Sequence, residues 1–343
     1  MAVYPVLVYV IFGTSPHLSL GTFAVAMLMA GESVLDHADV PGKSVGLYTP
    51  EQVLSALSLT AGLVMLVMWC LRMGHFLSLL SDALVSGLTT GAAFHVGSAQ
   101  FANLFGIKLP ILPRNFKVIN HVIEVSKRLP QTNLAVLIVS FVSCFCLAYY
   151  NERIKPWWGR HFRMPLPAEL ILIVVGTLMS NLLNLGPKYG VQAVGDIPSG
   201  LPRPSLPPIE LMPSIFTDAL TLTMVTYTVT MSMGLLFAAK SKYEIDANQE
   251  LLAMGATDIC GCFFGCAPTS AGLSRTYVQW AVGGKTLVIS IVSACMIMLV
   301  LLWIGPFFET LPRSVLAAVV IVSLKGLYLQ LFDIKKFWKL CKR

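Results

Sequence analysis

The sequence predicts an all-α, polytopic membrane protein that contains a partial inverted repeat and two half-helices meeting at the bilayer midplane. The composition indicates a membrane protein, because 56% of the 343 residues are hydrophobic and 12% are charged, whereas soluble domains carry about 25% charged residues. The repeat is indicated by two proline-broken apolar stretches, one near each end, that are too short to cross a bilayer. Paired broken segments in corresponding positions of two halves are typical of secondary transporters, so the fold class is that of a transporter.

The first half combines truncated, half-length and full-length apolar segments. A spanning helix needs about 20 apolar residues, so residues 3–12 are part of a span, and residues 18–30, which follow Pro16, form a half-length run. Residues 115–129 place apolar and charged residues on opposite sides, which predicts an amphipathic helix at the membrane interface. Full spans are predicted at residues 53–71, 84–105, 134–150 and 166–183.

The second half repeats this arrangement. Residues 273–282 follow Pro268 and form the second half-length run. The amphipathic stretch 333–342 follows a spanning segment, as residues 115–129 do in the first half, and this echo supports the inverted repeat. The apolar segments of this half are residues 215–239, 251–264, 273–282, 287–308 and 314–329.

Neither the net charge nor the cysteines indicate nucleic-acid binding or a metal site. The basic residues behind the net charge of +7 lie in short loops, where they orient helices, so we do not expect a nucleic-acid partner. The eight cysteines lie in or near apolar segments and are interpreted as small buried packing residues, so we expect no metal or cofactor. The sequence shows no nucleophile–base pair, and we do not expect an enzyme.

The starts of the half-helices predict an anion site. A half-helix that begins inside the membrane presents free N–H groups and a positive dipole end, and Arg275 adds a cation to the second one. Ser274 and the backbone at Gly272 and Leu273 are candidate hydrogen-bond donors to an anion, and Phe23 is a candidate apolar wall.

Each of these residues also has an ordinary structural interpretation. Arg275 would extend toward the interface, Ser274 would cap its helix, and Phe23 would pack in the core. His17 is interpreted as a hydrogen-bonding residue rather than a proton carrier, and so is His95.

The ordered motifs resemble the sulfate permease (SulP) family, called solute carrier family 26 in animals, which includes prestin and pendrin. The resemblance covers essentially the whole chain and is carried by residues 12–25, 85–93, 165–170, 194–202, 243–251, 273–275 and 283–286. It implies that residues 1–343 are an incomplete transmembrane domain of this family, shortened at both ends and without the cytoplasmic STAS domain.

The resemblance implies fourteen helices in two inverted repeats of seven, and a core that moves against a gate like an elevator. Core-type helices would lie in residues 1–73 and 215–309, and gate-type helices in residues 78–186 and 313–343. By the same resemblance, Phe23, Gly272, Leu273, Ser274 and Arg275 would line the anion site. The family's first helix contributes to that site, so the site would be incomplete in these residues alone.

The resemblance implies a multi-pass protein of the plasma membrane that exchanges small inorganic anions: sulfate, chloride, bicarbonate or oxalate. The partners would be these anions and the lipid bilayer, with a homodimer in the full-length form. Val229 stands where proton-coupled members often carry glutamate, which favours exchange or leak over proton symport. The alternative is a non-transporting protein of this fold, either a voltage-responsive motor like prestin or an inactive partner subunit.

Overall fold

The computed structural model describes residues 1–39, 48–74, 82–107, 109, 117–161, 166–195, 200–281 and 283–329. For a few residues inside helices, Leu273 and Ser274 among them, only the backbone is described. The helices are α1 (Tyr4–Phe12), α2 (Ala24–His37), α3 (Pro50–Cys70), α4 (Asp82–Phe105), α5 (Lys117–Arg128), α6 (Leu134–Tyr149), α7 (Lys155–His161), α8 (Ala168–Leu182), α9 (Leu185–Tyr189), α10 (Met212–Ser241), α11 (Ala247–Cys262), α12 (Leu273–Ala281), α13 (Val288–Leu299) and α14 (Arg313–Leu329). Two short strands, β1 (Leu20–Gly21) and β2 (Ser270–Ala271), pair antiparallel.

The chain divides into two compact units, each built from two separate stretches of sequence. The first unit comprises Met1–Val85 and Gly200–Leu301, and the second comprises Ser86–Ser199 and Leu302–Arg343. Each unit therefore takes residues from both halves of the chain. The assignment of core-type and gate-type roles to these stretches stays a prediction.

Helix α10 forms the centre of the first unit. Of its most apolar window, 72% is buried, against 17% for the helical stretch Val288–Thr310, so α10 contacts protein and the latter presents its surface outward. Helix α10 packs against α2 and α3, and α11 packs against α1 and α3. In the second unit, α14 packs against α6 and α8.

Helix starts follow recognisable capping signals. Thr49 and Gln52 form a capping box at the start of α3, in which Thr49 Oγ1 accepts from Gln52 N and Gln52 Oε1 accepts from Thr49 N. Asp246 caps α11 by accepting from the backbone N–H groups of Asn248 and Gln249 at 2.9 and 3.1 Å. Asn133 caps α6 in the same way.

Within the described residues, four helical stretches are long and apolar enough to cross a membrane: Pro50–Cys70, Leu134–Gly159, Ile209–Ser241 and Val288–Thr310. Together with the architecture, they confirm the predicted all-α membrane fold. The span expected at 166–183 is the 15-residue helix Ala168–Leu182, which is shorter than a full crossing. The amphipathic segment at 115–129 is α5, Lys117–Arg128, whereas 333–342 lies outside the described residues.

Two expectations about local structure are wrong. The first half-helix begins at Ala24, not at residue 18, because residues 18–23 are not helical and include β1. The cysteines are not uniformly buried: Cys262 and Cys266 are, but Cys70, Cys146 and Cys295 are exposed. An apolar segment does not by itself predict burial, because on a membrane protein an apolar residue is equally suited to the lipid-facing side.

Candidate anion-binding site

The segments that lead into the two half-helices lie side by side as a strand pair. Leu20 lies opposite Ala271, and the N–H of Gly272 donates to the carbonyl of Ser19 at 3.1 Å. Helices α2 and α12 begin within a few residues of these strands. The prediction that the two half-helices meet at their amino ends is therefore confirmed.

Arg275 bridges the two amino ends. Its Nη2 donates to the carbonyl of Thr22 at 3.0 Å, and its Nη1 lies 3.4 Å from Thr22 Oγ1. The side chain of Arg275 is half-buried, while Thr22 is exposed. Within the described residues, Arg275 Nε is buried and has no hydrogen-bond partner. The cation thus lies in the first turn of α12, directly beside Thr22, which comes just before α2.

Two glycines make room for this guanidinium. A methyl group at Gly272 would lie 2.8 Å from Nη2 of Arg275 and 3.0 Å from its Nε, and one at Gly21 would lie 3.0 Å from Nη2. Gly21 also has φ +152°, a conformation that favours glycine. The guanidinium of Arg275 therefore lies close to the backbone at Gly272. The N–H of Gly272 was a candidate anion donor in the sequence, but it already donates to the carbonyl of Ser19.

The start of α2 has no side-chain cap. Phe23 is the residue before its first turn, with extended backbone, and makes no capping hydrogen bond. Phe23 therefore lies immediately before the first turn of α2. Its ring packs, half-buried, against the buried cluster that contains Leu20, Val229 and Ala271. An apolar residue at this position leaves the first N–H groups of α2 without a side-chain acceptor.

Leu273 and Ser274 form the first turn of α12 together with Arg275. Their side chains lie outside the described residues, so the predicted proximity of Phe23 and Ser274 stays a prediction. Val282, the last residue of the predicted second half-helix, also lies outside the described part of the chain. His17 Nδ1 lies 3.2 Å from the hydroxyl of Tyr243, a contact of the kind expected for a hydrogen-bonding histidine.

The first residue that the sequence analysis missed is Glu250, which is completely buried in α11. Its Oε1 accepts from Thr14 N at 2.8 Å, Thr14 Oγ1 at 2.6 Å and Ser15 N at 3.2 Å. Its Oε2 accepts from the hydroxyl of Tyr9 at 2.9 Å. These donors lie in α1 and in the segment that runs into β1. Glu250 thus holds the chain that leads to the first half-helix.

The second missed residue is Asp258, also completely buried in α11. Its Oδ1 accepts from Thr269 N at 2.9 Å and from Thr269 Oγ1 at 2.7 Å. Within the described residues its Oδ2 is buried and has no partner. A carboxylate inside an apolar helix is itself a signal of function, and this signal would have found Asp258, which lies inside the predicted segment 251–264.

The comparison with known protein families identifies the group to which this architecture belongs. The model of the sulfate permease family matches residues 1–343. The chain belongs to this family.

Individual relatives in the sulfate permease family cover nearly all of this chain. Prestin from Danio rerio is 34% identical over 352 aligned positions, which cover 99% of this chain and 48% of prestin. Solute carrier family 26 member 6 from Homo sapiens is 34% identical over 98% of this chain and 45% of its own length. The chain therefore spans about half the length of the curated relatives it matches.

A solved structure of a sulfate permease homologue has the same architecture. The murine solute carrier 26 family member A9 anion transporter, in the inward-facing state, superposes with a TM-score of 0.90 at 27% identity, over 98% of this chain and 56% of the murine chain. Together with the four apolar helices, this likeness identifies the chain as part of a multi-pass integral membrane protein.

Proposed function

We propose that this protein is a secondary anion transporter that binds its substrate between the amino ends of α2 and α12. The proposal is carried by one observation, the placement of Arg275 between two helix amino ends that the β1–β2 pair brings together. Two positive dipole ends and a guanidinium attract an anion to the same point. The murine homologue, which is named an anion transporter, supports this function.

The site residues that we propose are Phe23, Gly272, Leu273, Ser274 and Arg275. Arg275 supplies the charge, and the backbone N–H groups at the start of α12 supply hydrogen-bond donors. Phe23 keeps an acceptor away from the α2 amino end, so that this end remains available to the substrate. Gly272 leaves room for the guanidinium, because a methyl group there would lie 2.8 Å from Nη2 of Arg275.

The substrates that fit such a site are small anions: sulfate, chloride, bicarbonate or oxalate. Transport would proceed by alternating access of the elevator type, with the first unit as the core that carries the anion and the second as the gate. The full-length protein would form a homodimer in the plasma membrane. None of these steps needs a cofactor or covalent chemistry.

The test is anion flux through purified protein in liposomes. Vesicles loaded with chloride are given external radiolabelled sulfate, chloride, bicarbonate or oxalate, and uptake is compared with that of vesicles without internal anion. Uptake that depends on internal anion supports exchange. Charge movement without flux would indicate a voltage-responsive motor, and absence of both would indicate an inactive subunit; either result contradicts the proposal.

A further inference from the structure

Helix α11 binds the segments that lead into both half-helices through equivalent contacts. These segments, residues 14–22 ahead of α2 and residues 267–272 ahead of α12, are here called the entrances. Glu250 near its start accepts the backbone N–H and the hydroxyl of Thr14, which lies ahead of α2. Asp258 further along accepts the backbone N–H and the hydroxyl of Thr269, which lies ahead of α12. Each carboxylate therefore fixes one threonine through two hydrogen bonds.

The spacing of the two carboxylates places them on the same side of α11. They are separated by about two helical turns, roughly 12 Å along the axis. One rigid helix thus fixes both threonines at a set distance from each other. Between these anchors and the helices, β1 pairs with β2, so the two entrances are connected at the anchors and at the strands.

The burial of these carboxylates is costly unless their hydrogen bonds compensate for the lost hydration. Glu250 receives four hydrogen bonds, and Asp258 receives two. Bonds from a backbone N–H to a carboxylate are of the strong, charge-assisted kind. An apolar residue at either position would leave the amide of Thr14 or Thr269 without this acceptor.

We propose that Glu250 and Asp258 are positioning residues that set the geometry of the anion site by fixing the entrances of α2 and α12 to one helix. This inference rests on the proposed function for the nature of the substrate. It goes beyond it by assigning the site's geometry to a helix that supplies none of the proposed anion contacts. The role needs hydrogen-bond acceptors at both positions, and does not need a proton to be carried.

The experiment compares alanine variants with amide variants. Glu250→Ala and Asp258→Ala remove the acceptors. Glu250→Gln and Asp258→Asn retain one carbonyl oxygen, which is sufficient for the bonds to Thr14 and Thr269, because all of these reach a single oxygen of each carboxylate. Thr257→Val is the matched control, since this buried hydroxyl bonds only to Ala253 O of its own helix in the described structure.

Two readouts separate positioning from general stability. The first is amide hydrogen exchange of residues 14–22 and 267–276 in the purified protein. The second is the chloride or sulfate concentration at half-maximal thermal stabilisation. We expect each alanine variant to speed exchange in its own entrance and to raise the half-saturating anion concentration about tenfold, while the amide and Thr257→Val variants stay within about threefold of wild type.

The double alanine variant tests whether the entrances act together. Because β1 and β2 are paired, we expect its effect on anion affinity to be smaller than the product of the two single effects. Three results would overturn the inference. They are a double-variant effect equal to the product of the single effects, unchanged anion affinity in the alanine variants, and amide variants as defective as the alanine variants. Wild-type protein that shows no anion-dependent stabilisation would instead count against the proposed function.

Discussion

At the scale of single residues, Arg275 joins a structural and a functional role. Its guanidinium has five N–H donors, of which Nη1 and Nη2 direct protons to Thr22. The same group places a positive charge at the meeting point of two helix amino ends. Charge and bridging geometry are separable by substitution, since lysine keeps the charge but has no planar fork of donors.

We expect Arg275→Gln to weaken anion binding about tenfold or more without unfolding the protein, because one charge-assisted interaction contributes roughly 1.5–3 kcal/mol. Arg275→Lys should recover part of the affinity if the charge dominates. The measurement is isotope uptake normalised to surface expression, over a range of anion concentrations. Wild-type kinetics in a well-expressed Arg275→Gln protein would remove this residue from the site.

Gly272→Ala tests the close approach of the guanidinium. The added methyl group would lie 2.8 Å from Arg275 Nη2, so the side chain must move. We expect anion affinity to fall about fivefold to thirtyfold, through an overpacking cost of roughly 1–2 kcal/mol. Gly31→Ala in α2 is the control, because a methyl group added there would have no heavy atom of a neighbouring residue within 4 Å. Equal behaviour of the two variants in an anion-binding titration would contradict the steric argument.

Residue chemistry could be predicted only in part. Arg275 was identified because a cation in a short apolar segment has few structural explanations. Glu250 was missed because the predicted apolar segment, residues 251–264, begins after it, whereas Asp258 lies inside that segment and was not weighed as a buried charge. The partners of Glu250 are distant in the sequence, since it contacts Thr14 and Ser15, and only the tertiary fold shows that these contacts form.

At the scale of elements, the proline-broken segments predicted the two half-helices but not what precedes them. Residues 18–30 have the apolar composition of a helix, yet α2 starts at Ala24. Leu20 and Gly21 instead pair with β2. Strand pairing between residues so far apart in sequence has no local signal, because a two-residue strand is too short to show alternation.

A cross-link tests whether the two entrances move as one body. Gly272 N donates to Ser19 O, so the neighbouring pair of Leu20 and Ala271 is the close, non-hydrogen-bonded kind with Cα atoms about 4.5 Å apart, within disulfide range. In a background without native cysteines, Leu20→Cys combined with Ala271→Cys should cross-link on oxidation and retain at least half of the anion uptake.

The single-cysteine variants are the controls for this experiment, since they cannot form the bond. Uptake that oxidation abolishes and a reductant restores in the double variant alone would show that the two entrances must separate during transport. That result would contradict a core in which α2 and α12 travel together.

At the scale of the whole molecule, the inverted repeat and the division into units come from different kinds of information. The repeat was visible in the sequence as two broken segments and two spans followed by amphipathic stretches. Each compact unit combines an early and a late stretch of chain. Hydropathy does not show which helices pack together, so the prediction that core and gate each draw on both halves rests on the family resemblance alone.

Coupling to ions is a further property of the whole molecule. Val229 is completely buried and belongs to the same cluster as Leu20 and Ala271, so it lies close to the half-helix entrances. A valine cannot bind a proton. Glu250 and Asp258 are buried carboxylates, and their hydrogen bonds reach Thr14 and Thr269 in the segments that lead into α2 and α12. In the proposal above these two residues position the site, and Val229 supplies no titratable group at its own position beside it.

We therefore expect that an inward proton gradient does not drive transport. The measurement is radiolabelled sulfate uptake into proteoliposomes with and without an imposed pH step, at a membrane potential fixed by potassium and valinomycin. Accumulation of sulfate against its gradient by the pH step alone would contradict this expectation, and its loss in Glu250→Gln or Asp258→Asn would then identify the carrier. Val229→Glu is the converse test: a carboxylate beside the entrances, unlike the matched Val229→Gln, should make uptake depend on pH, because only glutamate titrates at that position.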